Sequence, residues 1–203
     1  MSVCITKFWW VRHAPVKSLA EGRIYGQRDV GCNLRDVDSL IKAAAPLPQD
    51  ALWVTSSLSR TKKTAHALAE QKGWKVKPLA YKDLMEQNFG LWQSKTWDDL
   101  DDDADAKAFW DDPAGLCPPD GESFESLCKR VEKCINHLAR KYAGQNIICV
   151  THAGTIRAAL AQALGMSPTA ALRLQLDTLS LSKIDHITQE GRADSWTVKG
   201  VNI

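Results

Sequence analysis

The stretch Phe8-Trp9-Trp10-Val11-Arg12-His13-Ala14-Pro15 decides the fold of this chain. An apolar, strand-forming run ends in a cation and an imidazole, and Pro15 then prevents a regular continuation of the strand. Open α/β sheets present reactive side chains in this way, because a buried strand carries them to its carboxyl end, where ligands bind. An arginine beside a histidine suits an anion, since the guanidinium holds oxygens in a fixed fork and a neutral imidazole can attack the atom they surround. The alternative is that Arg12 and His13 merely begin a polar loop, and this stretch alone does not decide between the two.

Length and composition predict one ordinary globular domain, residues 1–203, with room for an elaboration. Hydrophobic residues make up 44% of the chain and charged residues 25%, and a net charge of +2 is too small to indicate a nucleic-acid or membrane partner. We find no signal peptide and no apolar run of about 20 residues, and we expect a cytoplasmic monomer or homodimer. The six cysteines form no C-x-x-C pair and are interpreted as free thiols, and no metal-ligand spacing is visible.

Hydrophobic periodicity predicts strands that alternate with helices. The predicted strands cover residues 4–12, 51–56, 75–81, 146–151, 179–187 and 195–201. The predicted helices cover residues 34–45, 59–72, 122–142 and 155–164, with Ser59 as the cap of the second. The third helix has one apolar face, formed by Phe124, Leu127, Val131, Ile135 and Leu138. This alternation indicates an α/β fold, a three-layer helix–sheet–helix sandwich with a mostly parallel central sheet.

Residues 93–120 do not follow this rhythm and are predicted to form a small acidic insertion or lid. Between Asp98 and Asp112 the segment holds eight aspartates and one lysine, with aromatic residues among them. One interpretation is a solvated acidic face. The other is that Trp92, Trp97 or Trp110 borders the entrance of a site and stacks on a flat ligand.

Three strand-to-helix junctions share one chemical theme. The first predicted strand ends in Arg12-His13, the second leads into Ser57 to Arg60, and the strand 146–151 leads into His152-Ala153-Gly154. The carboxyl ends of parallel strands share one rim, so two arginines and two histidines would meet there, backed by helix N-termini whose free N–H groups favour phosphate. Taken singly, His152 could be a capping residue and Arg60 a solvated arginine; their convergence favours a phosphate site.

Six motifs, in order along residues 12–154, resemble the cytoplasmic branch of the histidine phosphatase superfamily, which has the phosphoglycerate mutase-like fold. Arg12-His13-Ala14 resembles its Arg-His-Gly signature, and His152-Ala153-Gly154 resembles its second histidine motif. The others resemble a glycine-arginine stretch, a second arginine motif, an acid-bearing motif and a Gly-Glu-Ser that opens a long helix. In this chain they are Gly22-Arg23-Ile24-Tyr25-Gly26 with Asp29, Ser56-Ser57-Leu58-Ser59-Arg60-Thr61-Lys62-Lys63-Thr64-Ala65, Glu86-Gln87-Asn88-Phe89-Gly90-Leu91-Trp92 and Gly121-Glu122-Ser123-Phe124.

The resemblance implies a phosphomonoesterase that needs no metal and no cofactor. His13 would be the nucleophile that forms a phosphohistidine; it must be neutral to attack, so a neighbouring group has to fix its tautomer. Glu86 would protonate the leaving oxygen and then take a proton from water. The other site residues would hold the phosphoryl oxygens (Arg12, Arg60 and His152) or contact the substrate elsewhere (Arg23, Tyr25, Gly26, Ala153 and Trp92).

The sequence departs from the family pattern near the expected substrate. Ala14 replaces the signature glycine, Pro15-Val16 replaces acidic and hydroxyl residues, and Leu19 stands where many members carry a phosphate-binding asparagine. These departures concern substrate fit more than the reaction. Three further histidines match no motif and are expected on helix or strand surfaces, namely His66, His137 and His186.

The expected partner is a small-molecule phosphate ester. A flat leaving group would suit α-ribazole 5′-phosphate, the substrate of the cobalamin-pathway phosphatase in the family that the motifs resemble, or a similar sugar or nucleotide-like phosphate. Phosphoglycerate mutases share the motifs, but they need basic residues outside the core site, where this chain has its acidic segment. A non-catalytic protein that binds a phosphorylated ligand is the alternative from another class, and the retention of His13, Glu86 and both arginines argues against it.

Overall fold

A computed structural model describes residues 2–16 and 22–203. The strands are β1 (Val3–Arg12), β2 (Leu52–Thr55), β3 (Leu79–Ala80), β4 (Asn146–Thr151), β5 (Leu181–Gln189) and β6 (Ser195–Gly200). The helices are α1 (Val37–Ala44), α2 (Ser59–Gln71), α3 (Ala104–Asp111), α4 (Phe124–Lys141), α5 (Ala153–Leu164) and α6 (Pro168–Ala171). Short 3₁₀ turns lie at Lys82–Leu84, Gly90–Trp92 and Asp98–Leu100.

The six strands form one sheet in the order β3-β2-β4-β1-β5-β6. The first four of these strands are parallel to one another. Beyond β1 the sheet continues with β5, which is antiparallel to β1, and with β6, which is antiparallel to β5. The expectation of a mostly parallel sheet in an α/β fold is confirmed. Because β2, β4 and β1 are parallel neighbours, their carboxyl ends lie side by side at one rim.

Helices cover both faces of the sheet, which confirms the three-layer sandwich. Alternate residues of β4 point to opposite faces of the sheet. On one face Ile147 and Cys149 pack in the cluster with α4 and α5. On the other face Ile148 and Val150 pack in the cluster with α1 and α2. This two-sided burial explains why β4 is an almost continuous apolar run. The predicted apolar face of the long helix is fully buried in the first cluster, with exposures of 0–2% for Phe124, Leu127, Val131, Ile135 and Leu138.

The third strand is shorter than its alternating pattern predicts. Only Leu79 and Ala80 pair with β2, and the prediction of a strand over residues 75–81 is wrong. The partner strand has only four residues, and Pro78 lacks the N–H that would continue the ladder.

Most helix starts differ from the sequence-based expectation: α1 begins at Val37 rather than at residue 34, and α5 begins at Ala153 rather than at residue 155. Ser59 does not cap α2; the N-cap is Leu58, and the Ser59 N–H donates instead to the Asp29 carboxylate (2.7 Å). The long helix begins at Phe124 rather than at residue 122, because the Ser123 hydroxyl accepts the Ser126 N–H (3.1 Å) and so caps α4.

The histidines outside the motifs do not all lie on the surface. His66 and His137 are exposed as expected, but the prediction is wrong for His186, which is 4% exposed. Its ring packs on Trp196 and its Nε2 lies 3.2 Å from a carboxylate oxygen of Asp194. In the part of the chain that the structure describes, no helix is both long and apolar enough to span a membrane.

Candidate active site

His13 directly follows β1 and lies at the shared rim of the sheet. Arg12 is opposite Thr151 in the β1–β4 register, and the His13 N–H continues the ladder by donating to the Thr151 carbonyl (2.9 Å). The next residue is tied to α2, because the Ala14 N–H donates to the Thr64 hydroxyl (3.0 Å). The imidazole is therefore fixed at its base by two elements, and it is 1% exposed.

The surroundings of His13 select one tautomer and keep the ring neutral. Nδ1 lies 2.7 Å from the Ala14 carbonyl oxygen. A carbonyl only accepts hydrogen bonds, so Nδ1 carries the hydrogen and Nε2 keeps its lone pair. Burial, followed by the positive charge of Arg60 and more weakly that of Arg12, lowers the pKa of His13 to about 3, and the Ala14 hydrogen bond offsets only part of this. The ring therefore has the form that a nucleophile requires.

Arg60 lies in the first turn of α2 and is 0% exposed. Its terminal nitrogens donate to the carbonyls of Gly26 (2.7 Å) and Arg28 (2.8 Å), and its guanidinium carbon lies 4.9 Å from the centre of the Tyr25 ring. The loop that carries the predicted glycine-arginine stretch thus fixes the orientation of this cation. The buried Nε–H of Arg60 has no partner among the described residues.

Arg12 and His152 complete the group around His13. One terminal nitrogen of Arg12 donates to the Leu176 carbonyl, and its buried Nε has no partner in the described ranges. The His152 ring lies 5.1 Å from the His13 ring, with Nε2 held by the Ser56 hydroxyl (2.8 Å) and with Nδ1 buried and unpartnered there too. Three buried nitrogens without a protein partner therefore belong to the three residues predicted to hold phosphoryl oxygens, and buried polar atoms need partners.

Glu86 approaches the same rim from a loop beyond α2. Its carboxylate accepts the N–H groups of Gln87 (2.9 Å) and Gly154 (3.3 Å). The first turn of α5 was predicted to offer its N–H groups to a phosphate, but the anion next to the Gly154 N–H is this carboxylate. The helix N-terminus therefore orients the acid, and the substrate contact predicted for Ala153 remains a prediction.

An ion pair beneath the Glu86 loop holds it in place. Arg130 on α4 pairs with Glu122 (2.7 Å) and donates to the carbonyls of Asp83 and Glu86. The Glu122 carboxylate also accepts the Asn88 N–H (2.9 Å). Charge-assisted hydrogen bonds are short and directional, so this pair fixes the loop on both sides of the carboxylate.

Of the other predicted substrate contacts, some lie beside His13 and Arg60, and one lies against the acidic segment. Tyr25 packs edge-on against His13 with 6.4 Å between ring centres, and Gly26 presents its carbonyl to Arg60. Arg23 is half exposed; it donates to the Ser94 carbonyl and lies 3.9 Å from the Asp99 carboxylate, so it joins its loop to the acidic segment. Leu19 lies outside the described residues.

A cavity of about 370 Å³ opens beside Glu86 and runs under the acidic segment. Aromatic side chains form much of its wall, namely Phe89, Trp97, Phe109, Trp110 and Phe124. Trp92 is not among them: it is 1% exposed and packs edge-on against Phe109, and the substrate contact predicted for it remains a prediction. Trp97 and Trp110 do border the cavity, and the aspartates of this segment are almost all exposed.

Sequence reasoning missed two residues at this rim. Ser56 holds the His152 ring, and a serine at the end of a strand gives no signal of that contact. Arg157 lines the cavity together with Glu86 and Gly154. Its position one turn after Gly154 on α5 puts it on the same side of the helix, which the sequence alone could have indicated.

Burial of a neutral His13 predicts a pH-dependent stability. Its folded pKa of about 3 lies below the unfolded value near 6.5, so its contribution is fully present above pH 6.5 and decreases as the pH falls toward 3. Between pH 8 and pH 5 the free energy of unfolding should lose about 2 kcal/mol through this residue. Urea unfolding of His13→Asn should show a loss smaller by that amount, whereas His66→Asn, at an exposed position of α2, should follow the wild type. Equal pH dependence in all three proteins would contradict the inferred burial of a neutral ring.

Comparison with known proteins agrees with this geometry. The family model of the histidine phosphatase superfamily (branch 1) matches residues 8–199. The adenosylcobalamin/alpha-ribazole phosphatase of Escherichia coli is 26% identical over 183 residues, 88% of this chain and 89% of that protein. A probable phosphoglycerate mutase of Klebsiella pneumoniae is 28% identical over 195 residues, 93% of this chain and 89% of that protein. A bifunctional protein of Mycobacterium tuberculosis is 28% identical over 181 residues, 87% of this chain, and this match spans 49% of its length.

Solved structures share the fold at low identity. The alpha-ribazole phosphatase of Shigella flexneri superimposes with a TM-score of 0.82 at 23% identity, covering 97% of this chain and 96% of that one. The mycobacterial glucosyl-3-phosphoglycerate phosphatase gives a TM-score of 0.83 at 23% identity, covering 98% and 99%. These likenesses confirm the phosphoglycerate mutase-like fold, and the family match covers nearly the whole chain. The chain belongs to the histidine phosphatase superfamily.

Proposed function

We propose that the protein is a phosphomonoesterase that acts through a phosphohistidine intermediate on a small phosphate ester. The observation that carries this proposal is the state of His13, a buried neutral imidazole whose Nδ1–H is held by a carbonyl and whose Nε2 lone pair is free. Around it lie buried nitrogens of Arg12, Arg60 and His152 that have no hydrogen-bond partner within residues 2–16 and 22–203. This arrangement suits a phosphoryl group, whose oxygens carry spread charge in the transition state.

The proposed reaction uses two side chains, His13 and Glu86. His13 Nε2 attacks phosphorus, the bond to the ester oxygen breaks, and the Glu86 carboxyl group gives that oxygen its proton. In the second half, the Glu86 carboxylate takes a proton from water while the water oxygen bonds to phosphorus. The phosphorus–nitrogen bond breaks, inorganic phosphate leaves, and His13 returns to its neutral form. The protein groups supply positioning, charge stabilisation and proton transfer.

Hydrolysis is favoured over phosphoglycerate mutase chemistry by the wall of the cavity. A mutase has to hold a second phosphoryl group on its bisphosphate intermediate, whereas Arg157 is the one cation among the described residues of the cavity wall, and the segment over the cavity contributes exposed aspartates and aromatic rings. Relatives in the family are named both as phosphatases and as phosphoglycerate mutases, so the choice between the two reactions depends on the site. Conversion of 3-phosphoglycerate into 2-phosphoglycerate faster than release of phosphate would reverse it.

Our preferred substrate within this class is α-ribazole 5′-phosphate, or a similar sugar or nucleotide-like phosphate. Two observations support it: the rings of Trp97 and Trp110 beside the cavity, and the alpha-ribazole phosphatase named among the relatives. A flat base would pack on those rings. Equal kcat/KM for α-ribazole phosphate and glucose 6-phosphate would overturn this choice and leave the phosphatase class intact.

The decisive experiment is to trap the intermediate. The protein is mixed with ³²P-labelled 4-nitrophenyl phosphate, and the reaction is stopped rapidly without acid. Peptide mapping should then find the label on His13 within the first turnover. The rival proposal, a non-catalytic binder of phosphorylated ligands, predicts neither label nor turnover. A screen of metabolite phosphates, with His13→Asn as the blank, should accompany the trapping.

Gly154→Ala should separate activity from stability. A Cβ atom at Gly154 would come within 2.5 Å of the Glu86 carboxylate, which has to move, whereas the helix gains about 1 kcal/mol of propensity. We expect kcat for alkyl phosphates to fall by about 100-fold, because the acid is displaced by an ångström or more, with an equal or higher Tm. Parallel thermal denaturation and steady-state assays test this, and unchanged kcat would show that Glu86 has no fixed role.

A further inference from the structure

Arg157 extends from α5 into the cavity beside Glu86 and is only partly supplied with partners. Its Nε–H donates to the Leu174 carbonyl (2.8 Å), the only hydrogen bond that its guanidinium makes within residues 2–16 and 22–203. A guanidinium has five N–H donors, and this one is only partly exposed. Such donors have lost part of their hydration, so a hydrogen bond from them to an acceptor on a ligand is stabilising.

The position of Arg157 indicates which part of a substrate it meets. The cavity is lined by Glu86, Gly154 and Arg157, and His13, Arg12 and Arg60 are not among its lining residues. The phosphoryl oxygens already have donors around His13. Since Glu86 is the residue that would protonate the ester oxygen, the space beyond it is where the leaving group lies.

The rest of the cavity favours a flat leaving group. Phe89, Trp97, Phe109 and Trp110 contribute ring faces and edges, and Leu172 lies on the wall near Arg157. Trp110 is 58% exposed although it is a large aromatic residue, so a ring packed against it would cover apolar surface. The site thus combines an aromatic wall with one cation that has free donors.

We propose that Arg157 determines specificity by donating to an acceptor on the leaving group, and that the preferred substrates carry a carboxylate, a carbonyl or a heteroaromatic ring nitrogen on or in an aromatic ring. The proposal rests on the proposed phosphatase function and narrows its substrate class. A carboxylate fits the planar fork best, because two parallel N–H···O bonds and opposite charges act together. Neutral acceptors, such as a carboxamide or a heteroaromatic ring nitrogen, form weaker hydrogen bonds with the same donors.

Matched benzyl phosphates test the proposal. We would compare benzyl phosphate with its 3- and 4-carboxy and 3- and 4-carbamoyl derivatives, because the methylene group keeps the ester oxygens similar in basicity. In the wild type, kcat/KM for the better carboxy isomer should exceed that of benzyl phosphate by about 10- to 100-fold, with the carbamoyl ester between them. In Arg157→Met this preference should fall to about threefold or less. Arg173→Met removes one charge from an exposed position near Leu172 and should keep the wild-type preference.

Each outcome has a definite meaning. Turnover by the wild type without preference for the acceptor-bearing esters overturns the proposal, and this result does not depend on any variant being folded. An equal loss for all five esters in Arg157→Met overturns it as well, because Arg157 would then act on the phosphoryl group or on Glu86. No turnover of any ester, together with no label on His13, overturns the proposed function and this proposal with it.

Discussion

Replacing His13 with asparagine is expected to lower kcat for every phosphate ester by about 10⁵-fold or more, because the covalent route disappears. Asparagine retains a polar side chain of similar size, but it offers no imidazole Nε2 with a free lone pair. Arg12, Arg60 and His152 would still bind the phosphoryl group, so the inhibition constant for inorganic phosphate should change by less than about tenfold. The measurement is release of phosphate from 4-nitrophenyl phosphate, paired with the quench experiment, in which no label should be found.

The control for this substitution is His66→Asn on the exposed side of α2. It makes the same chemical change away from the site and should keep full activity. Residual turnover of His13→Asn above about one hundredth of the wild-type rate would contradict the nucleophile assignment, because general base catalysis by another group would then suffice.

Glu86→Gln is expected to have effects that depend on the leaving group. Benzyl phosphate needs a proton on its departing oxygen, and its turnover should fall by about 10³- to 10⁴-fold. The 4-nitrophenolate ion leaves without a proton, so the first half of the reaction should continue and a burst of nitrophenol equal to the enzyme should appear. Steady turnover should then be slow, since no carboxylate activates the water that hydrolyses the phosphohistidine. Stopped-flow absorbance measures the burst, and quenching should show labelled His13 accumulating.

The matched control for Glu86→Gln is Glu125→Gln at an exposed position of α4. It removes one carboxylate from the surface and should leave the turnover of both substrates unchanged. Equal losses for benzyl and 4-nitrophenyl phosphate, with no burst, would contradict the proposed proton transfer and would indicate that Glu86 acts only in binding.

The fold was predictable because the buried elements carry strong local patterns. The apolar runs of β1 and β4 and the one-sided helix α4 are long and periodic, so their type and approximate bounds follow from sequence alone. The weak third strand was not predictable, because its length is set by a four-residue partner and by Pro78 rather than by its own alternation. The start of α2 was misjudged for a similar reason, since the acceptor for the Ser59 N–H is the Asp29 carboxylate, from 30 residues earlier in the chain.

At the site, the sequence indicated which residues meet but not how each is held. The convergence of Arg12, His13 and His152 follows from strand order, because parallel neighbours end at one rim. The contacts that orient them come from distant segments, such as the Leu176 carbonyl on Arg12 and the Ser56 hydroxyl on His152. The burial of Trp92 could not be predicted, because its motif position says nothing about exposure, which is decided by its packing with Phe109 in the acidic segment.

The acceptor that fixes the His13 tautomer is a main-chain oxygen, and this has an evolutionary consequence. A carbonyl is supplied by whichever residue occupies position 14, so drift at that position cannot delete the hydrogen bond in one mutational step. The alanine found there in place of the signature glycine is an instance: the side chain differs, and the Ala14 oxygen still lies 2.7 Å from Nδ1. The tautomer of the nucleophile is thus insulated from side-chain substitution at position 14, while the walls beyond Glu86 are built from side chains and can diverge to suit new substrates.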